Sequence, residues 1–148
     1  RSCSTKGDTT IHIALPRPEH ILHHWDEIEP FIKLACDESN GELTPDVVKR
    51  KVEMHNVIIA VVYDDDKLVA AISYDIIDFE SGMRALNIQC AGGDILDEWF
   101  EQIEAIANSL AKEHGCNNIY IIGRAGWARK MKGLGYKTIH TVIAKEVI

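Results

Sequence analysis

Residues 83–122 read MRALNIQCAGGDILDEWFEQIEAIANSLAKEHGCNNIYII, and this stretch decides the fold. Its first eight residues, to Cys90, form a strand-like run. Ile95, Leu96, Trp99, Ile103, Ile106 and Leu110 then recur at steps of three and four, which marks one face of a long helix ended by Gly115. Residues 118–122 (NIYII) make a further apolar strand. A strand, a long helix and a second strand form a crossover, so the two strands are expected as parallel neighbours with a right-handed connection.

Working outward toward the N-terminus, residues 68–79 (LVAAISYDIIDF) and 57–63 (VIIAVVY) read as strands. Turns at Ser81-Gly82 and Asp64-Asp65-Asp66 join them into an antiparallel meander with the first strand of the crossover. Further out, residues 10–15 (TIHIAL) form a short strand stopped by Pro16-Arg17-Pro18. Residues 19–37 carry an amphipathic helical pattern in which Pro30 predicts a kink or a break. Thr44 followed by Pro45 reads as an N-cap and first helical position, opening a short helix to about Met54. Past the crossover, Trp127, Met131 and Leu134 define a two-turn helix, and residues 137–147 a last strand. The pattern is that of a mixed α/β domain: a mostly antiparallel sheet of about six strands, one parallel splayed pair, and helices on both faces.

The chain has 148 residues, the size of one domain, taken here as residues 10–148 behind a flexible segment 1–9. Its 46% apolar and 26% charged residues are the balance of a soluble globular protein. A net charge of −7 disfavours nucleic acid and anionic membranes as partners. No apolar run approaches the roughly 20 residues of a membrane-spanning helix, and no signal-peptide pattern is present. The four cysteines stand far apart with no CxxC, which argues against a zinc knuckle or a disulfide framework and for a reducing compartment, the cytoplasm.

The element order, together with residues 123–136 (GRAGWARKMKGLGY), resembles the GNAT superfamily of acyl-CoA-dependent N-acyltransferases, over residues 10–148. The short helix running into Leu134-Gly135-Tyr136 is similar to that family's ending, and the Gly123-Arg124-x-Gly126-Trp127 form is closer to its divergent, phage-type members. The resemblance implies that acetyl-CoA or another acyl-CoA lies where the parallel strands splay. The strand backbone around Ile88 would pair with the pantetheine arm. The segment Gln89-Cys90-Ala91-Gly92-Gly93-Asp94 would match the loop Q/R-x-x-G-x-G/A that wraps the pyrophosphate at the N-terminus of the long helix. Orphan amides, a positive dipole end and glycine's freedom make such a loop an anion site.

Two departures from that pattern stand out. Asp94 replaces the last small residue of the loop, and it reads as an N-cap before Ile95. Its carboxylate would compete for the amides a pyrophosphate uses and would repel the phosphates. Many family members also place a tyrosine four residues before the glycine of the ending, where it protonates the departing thiolate. Here that position is Met131, which has no proton to donate.

Other chemistry-bearing residues carry a functional and a plain reading. Asp75 and Asp78 lie on opposite parities of one strand, so only one faces the cleft; Asp75, sharing parity with Ser73, is the candidate general base through a water. The plain reading is a solvated strand face. Arg124, Arg129, Lys130 and Lys132 form the one basic cluster, suited to the 3′-phosphate of CoA, through Arg124, or to an acidic partner. Cys90 is a conceivable thiol nucleophile and otherwise a small apolar group. His20, His23 and His24 share a helical turn but lack a fourth ligand, so a polar helix face is favoured and no metal is assigned. Trp25, Trp99 and Trp127 fall on apolar helical faces and read as core.

Two functions stay open. One is transfer of an acyl group, acetyl foremost, from acyl-CoA to an amine on a small molecule or a protein. The other is a catalytically inactive interaction or assembly protein of a phage virion that shares only the fold. Gln89 and Gly92 point to the first, Asp94 and Met131 to the second. A homo-oligomer or larger assembly is compatible with both.

Overall fold

In the computed structural model, which describes residues 11–39, 41–93, 100–122 and 129–147, the β-branched runs pair into one sheet. Its strands β1 (Ile11–Ala14), β2 (Ile58–Asp64), β3 (Lys67–Asp78), β4 (Arg84–Gly93) and β5 (Asn118–Ile121) lie side by side in chain order. The first three pairings are antiparallel. β4 and β5 run parallel, from Ala85 opposite Asn118 to Ile88 opposite Ile121. The crossover expected of residues 83–122 is therefore present in a mixed α/β sheet.

Helices cover both faces. α1 (Pro18–His23), α2 (Trp25–Cys36) and α3 (Pro45–Glu53) bury Ile21, Trp25, Ile28, Ile32, Val48 and Val52 against Ile59, Val61 and Ala71 of the sheet. On the opposite face α4 (Phe100–Glu113) buries Ile103, Ala107 and Leu110 against Val62, Ile72, Tyr74, Leu86 and Ile88. Each large aliphatic side chain so buried contributes about 1.5–3 kcal/mol. The two clusters use alternate residues of the same strands, as the two-residue period requires.

Local chemistry sets the element ends. Thr44 Oγ1 accepts the Val47 N–H at 3.3 Å, with Pro45 at the first helical position of α3, as the sequence predicts. Gly115, at φ +69°, ends α4. The Gly115 N–H bonds Lys112 O at 3.3 Å and the Cys116 N–H bonds Ala111 O at 2.8 Å, the double closure of a Schellman motif. Met131 is 1% exposed in the α4-side core, and Lys132–Leu134 follows as a 3₁₀ turn closed by Gly135 at φ +94°. Ile95, Leu96 and Trp99, expected in the long helix, lie outside the described residues, as do Trp127 and the segment 1–10.

Three expectations are corrected. The helical stretch 19–37 breaks at His24, between α1 and α2, while Pro30 sits inside α2 on its exposed side. Pro30 and Asp26, whose carbonyl Pro30 leaves without a helical donor, are both exposed, which lowers the cost of keeping the helix intact. The segment from Gln89 to Gly93 belongs to β4 and pairs with β3, rather than forming a loop. Residues 137–147, expected as a strand, carry no regular secondary structure and are exposed throughout.

Candidate functional site

β4 outruns its parallel partner. Their ladder ends at Ile88 opposite Ile121, whereas β4 continues to Gly93 with β3 as its one neighbour among the described residues. Past that rung no described residue pairs with the outer backbone edge of β4, and the two strands part. A β-bulge sits at the same point: Tyr74 faces Ile88 but Ser73 faces Cys90, which makes Gln89 the extra residue. Such an insertion bends the strand and re-aims side chains, and bulges cluster beside functional sites.

The bulge gathers a polar cluster on the α1–α3 face. Asp75 lies directly opposite Asn87 in the ladder, and Asn87 Nδ2 donates to Asp75 Oδ1 at 3.1 Å. Gln89 Nε2 donates to Asp75 Oδ2 at 3.2 Å, and Ser73 Oγ donates to Gln89 Oε1 at 3.3 Å. From the last turn of α3, Lys51 Nζ reaches Asp75 Oδ2 at 3.0 Å. The Asp75 side chain keeps 14% of its surface exposed and that of Lys51 27%, so this ion pair is half-sheltered from solvent. Three of the roughly four lone-pair directions of the carboxylate are occupied.

Asn87 is the unusual member. It is 6% exposed, and its Oδ1 is buried with no hydrogen-bond partner among the described residues. The carboxylate of Asp75 only accepts hydrogen bonds, so it fixes the amide with Nδ2 toward itself and Oδ1 turned away. A buried acceptor left unpaired costs about 1–3 kcal/mol. Beside it on β5, Tyr120 is its register partner, and the Tyr120 ring lies 5.5 Å from that of Phe79.

Gly92 and Gly93 have a packing reason of their own. A Cβ at position 92 would overlap the Phe31 carbonyl oxygen of α2 and lie 3.3 Å from Ala35 N. At position 93, where φ is +111°, a Cβ would overlap Val69 O and stand 2.8 Å from Phe31 Cδ1. The glycine pair lets α2 cross the end of β4 at backbone contact.

Asp75 and Gln89 are thus brought together with Ser73, as shared parity predicts for Asp75 and Ser73. Ile88 forms the last rung before the cleft, and Cys90 and Ala91 continue the strand through their backbones. Asp94 and Arg124 lie outside the described residues. Asp78 is exposed at the far end of β3, bonded to Arg84 Nε at 2.7 Å, and takes no part in the cluster. Arg129, Lys130 and Lys132 are exposed, with Lys130 Nζ 5.5 Å over the Phe100 ring. The His20 and His24 rings stand 4.4 Å apart and His24 Nδ1 bonds Glu27, but among the described residues no three metal-ligating side chains converge. Trp25 is core, as expected.

Sequence reading missed Lys51 and Asn87. Asn87 had a signal, a lone amide between Leu86 and Ile88 in an apolar strand. Lys51, 24 residues from Asp75, had none.

No family model matches the chain and no curated protein does. Solved structures match it along nearly its whole length. An aminoglycoside N-acetyltransferase in complex with CoA superposes with a TM-score of 0.69 at 12% identity, over 94% of this chain and 95% of that one. A GNAT family acetyltransferase from Staphylococcus aureus gives 0.61 at 10% identity, over 93% and 98% of the two chains. The chain has the GNAT fold. A possible acetyltransferase from Clostridium difficile is similar at 20% identity, with a TM-score of 0.65 over 93% of this chain and 98% of its own. Among the described residues no helix is long and apolar enough to cross a membrane.

Proposed function

We propose that the chain is an N-acyltransferase that takes an acyl group, acetyl foremost, from acyl-CoA in the β4–β5 cleft and passes it to an amine. One observation carries the reading: a half-sheltered carboxylate and an orphaned buried carbonyl, Asp75 and Asn87 Oδ1, stand where the parallel strands part. The residues present fit such a group. The outer edge of β4 beyond Ile88, unpaired among the described residues, offers backbone donors and acceptors to the amides of a pantetheine arm, with Gln89 through Gly93 running along it. Asp94 and Arg124 are proposed nearer the phosphates. When bound, acyl-CoA supplies an activated thioester carbonyl.

The protein's own residues act on the amine. Asn87 Oδ1 accepts an N–H of the acceptor and so orients its lone pair, and Asp75 takes up the amine proton through a water; as the N–C bond forms the thioester C–S bond would break, and the thiolate would leave and take its proton from solvent. Lys51 and Gln89 hold the Asp75 carboxylate in one orientation. Direct attack on a thioester needs no covalent intermediate, and positioning supplies much of its rate. The acceptor is a small-molecule or protein amine, and the proposed setting is the cytoplasm.

A second reading, an inactive assembly protein with this fold in a virion, is favoured by the glycine pair. Contact with α2 accounts for Gly92 and Gly93 without any cofactor. Met131, buried in the core, supplies no proton to a departing thiolate. Calorimetric titration with acetyl-CoA separates the two readings. Saturable binding followed by amine-dependent thiol release supports the enzyme, and no heat at millimolar acetyl-CoA moves the assignment to the assembly protein.

A further inference from the structure

Three imidazoles, those of His20, His23 and His24, meet where α1 joins α2. The His24 N–H bonds His20 O at 3.1 Å, so helical register runs across the join and sets His20 and His24 four residues apart on one face. Their ring centroids stand 4.4 Å apart. On the other side of this pair, His24 Nδ1 lies 2.8 Å from Glu27 Oε1. An ionised carboxylate only accepts hydrogen bonds, so Nδ1 carries the proton and Nε2 of His24 keeps its lone pair. A carboxylate bonded to the second ring nitrogen is what fixes the tautomer and ring orientation of a metal-ligating histidine. His23 is placed differently. Adjacent residues of a helix do not face each other, and its ring meets that of His24 edge-on at 4.8 Å. The surroundings suit a cation: Glu19, Asp26 and Glu27 flank the pair in sequence, Arg17 is drawn to Glu19 at 3.8 Å, and the chain carries a net charge of −7.

We propose that His20 and His24 chelate a divalent late first-row transition ion such as zinc or nickel, with Glu27 holding the His24 ring in place. Two imidazoles bound to one tetrahedral ion, each at about 2.0–2.1 Å, keep their ring centres roughly 5 Å apart, so the pair needs only a small opening to admit it. Among the described residues no group of three His, Cys, Asp or Glu side chains is placed to hold a metal, so the chelate has two protein ligands and water completes the shell. Imidazole nitrogen selects zinc, nickel and copper, whereas magnesium and calcium call for oxygen. The ion acts as a clasp. α1 has six residues, well short of the roughly 12–15 that hold a helix by its own hydrogen bonds, and His24, at φ −106° and ψ 23°, interrupts the helical path behind it. An ion on His20 and His24 ties α1 to that junction and so holds Ile21, which α1 carries into the core beside Trp25 and Ile28. This inference is independent of the acyl-transfer reading.

Calorimetric titration of the untagged full chain at about pH 7.5, where imidazoles are largely neutral, tests the clasp. Zinc chloride and nickel chloride are each expected to fill a single saturable site, and magnesium chloride to give no heat beyond dilution. His20→Ala, at an exposed position that leaves the core intact, should weaken zinc binding at least about tenfold, as should Glu27→Ala through the loosened His24 ring. His23→Ala should stay within about twofold of the parent. Zinc should raise the Tm of the parent and not that of His20→Ala. At about pH 5.5 binding should be lost, because both imidazoles are then protonated. Absence of a saturable site for zinc and nickel overturns the proposal. Equal zinc affinity in the parent and His20→Ala overturns it too, since another group then takes the ion. Magnesium binding of similar strength would assign the cation to the carboxylates instead, and a loss in His23→Ala as large as that in His20→Ala would replace the four-residue chelate with a loose cluster of three; either result rejects the pair proposed.

Discussion

Asn87 stands directly opposite Asp75 in the β3–β4 ladder and gives its amide N–H to Oδ1 across 3.1 Å, which leaves its own carbonyl oxygen buried without a partner among the described residues. That oxygen is available to an N–H donor from a bound ligand, and leaving it unpaired costs stability. Asn87→Leu removes the orphan and one hydrogen bond together. Urea unfolding should place the variant within about 1 kcal/mol of the parent, since the gain from removing the unpaired acceptor offsets the lost hydrogen bond. With acetyl-CoA and the amine that turns over fastest, KM for the amine should rise about tenfold, the worth of one hydrogen bond. An unchanged KM would assign Asn87 to the scaffold alone.

Asp75 is held from three sides, by Asn87, Gln89 and Lys51. Asp75→Asn keeps the size and removes the charge, which leaves the Lys51 ammonium half-sheltered without its counter-ion. Stability should fall by about 1.5–3 kcal/mol, the worth of a hydrogen bond to a charged group. If Asp75 takes the amine proton, kcat should fall about 100-fold. Lys51→Met should lower kcat by less, because it frees the carboxylate without removing it. Equal kcat in the parent and Asp75→Asn would remove Asp75 from the chemistry.

Most of the fold is legible in the sequence because its signals are local. The Thr44-Pro45 cap, the Gly115 helix end and the two-residue alternation of the strands each depend on neighbours within a few positions. Pro30 misleads because the cost of an interior proline depends on whether its unbonded carbonyl meets water, which only packing decides. Gln89 through Gly93 read as a phosphate loop because a close backbone approach demands glycine whether the visitor is a cofactor or, as here, helix α2. The Asp75 cluster is half legible. Shared parity links Ser73 with Asp75, but Lys51 joins from a helix whose docking no spacing encodes. The strand pattern of residues 137–147 is real, but a strand forms only where a neighbouring edge pairs with it, and among the described residues none does.

The contact between Gly92 and α2 can be tested without any ligand. Gly92→Ala drives a methyl group into the Phe31 carbonyl oxygen, and backbone on both sides leaves no flexible group to yield. Over-packing of this kind costs about 1–3 kcal/mol. Gly133→Ala is the control, since nothing lies within 4 Å of its Cβ and its backbone is not left-handed. It should change stability by no more than about 0.5 kcal/mol. Denaturant midpoints that match for the two variants would show that α2 can retreat from β4.

Tyr74 makes the fold sensitive to alkali. Its side chain is fully buried under α4, and its hydroxyl donates to Ile103 O at 3.4 Å. Burial, with the neighbouring Tyr136 phenol adding to it, pushes the Tyr74 phenol well above its ordinary value of 10.0. Tyr136 is raised in the same way by burial and then by Glu104. In the unfolded chain both phenols ionise near pH 10, whereas in the folded chain they keep their protons above it. The unfolded state then binds fewer protons, so stability is full below about pH 10 and falls as pH rises beyond it, by up to about 1.4 kcal/mol per pH unit for each phenol. Tyr74→Phe should cost about 1 kcal/mol at pH 8 through the lost hydrogen bond and should flatten the decline above pH 10 relative to the parent. Tyr136→Phe should flatten it too while costing almost nothing at pH 8, because the Tyr136 hydroxyl is buried without a partner among the described residues. Urea unfolding of the three proteins at pH 8, 10 and about 11 checks both the sign and the assignment. Parallel declines in all three would place the alkaline loss on the lysines and clear the buried phenols.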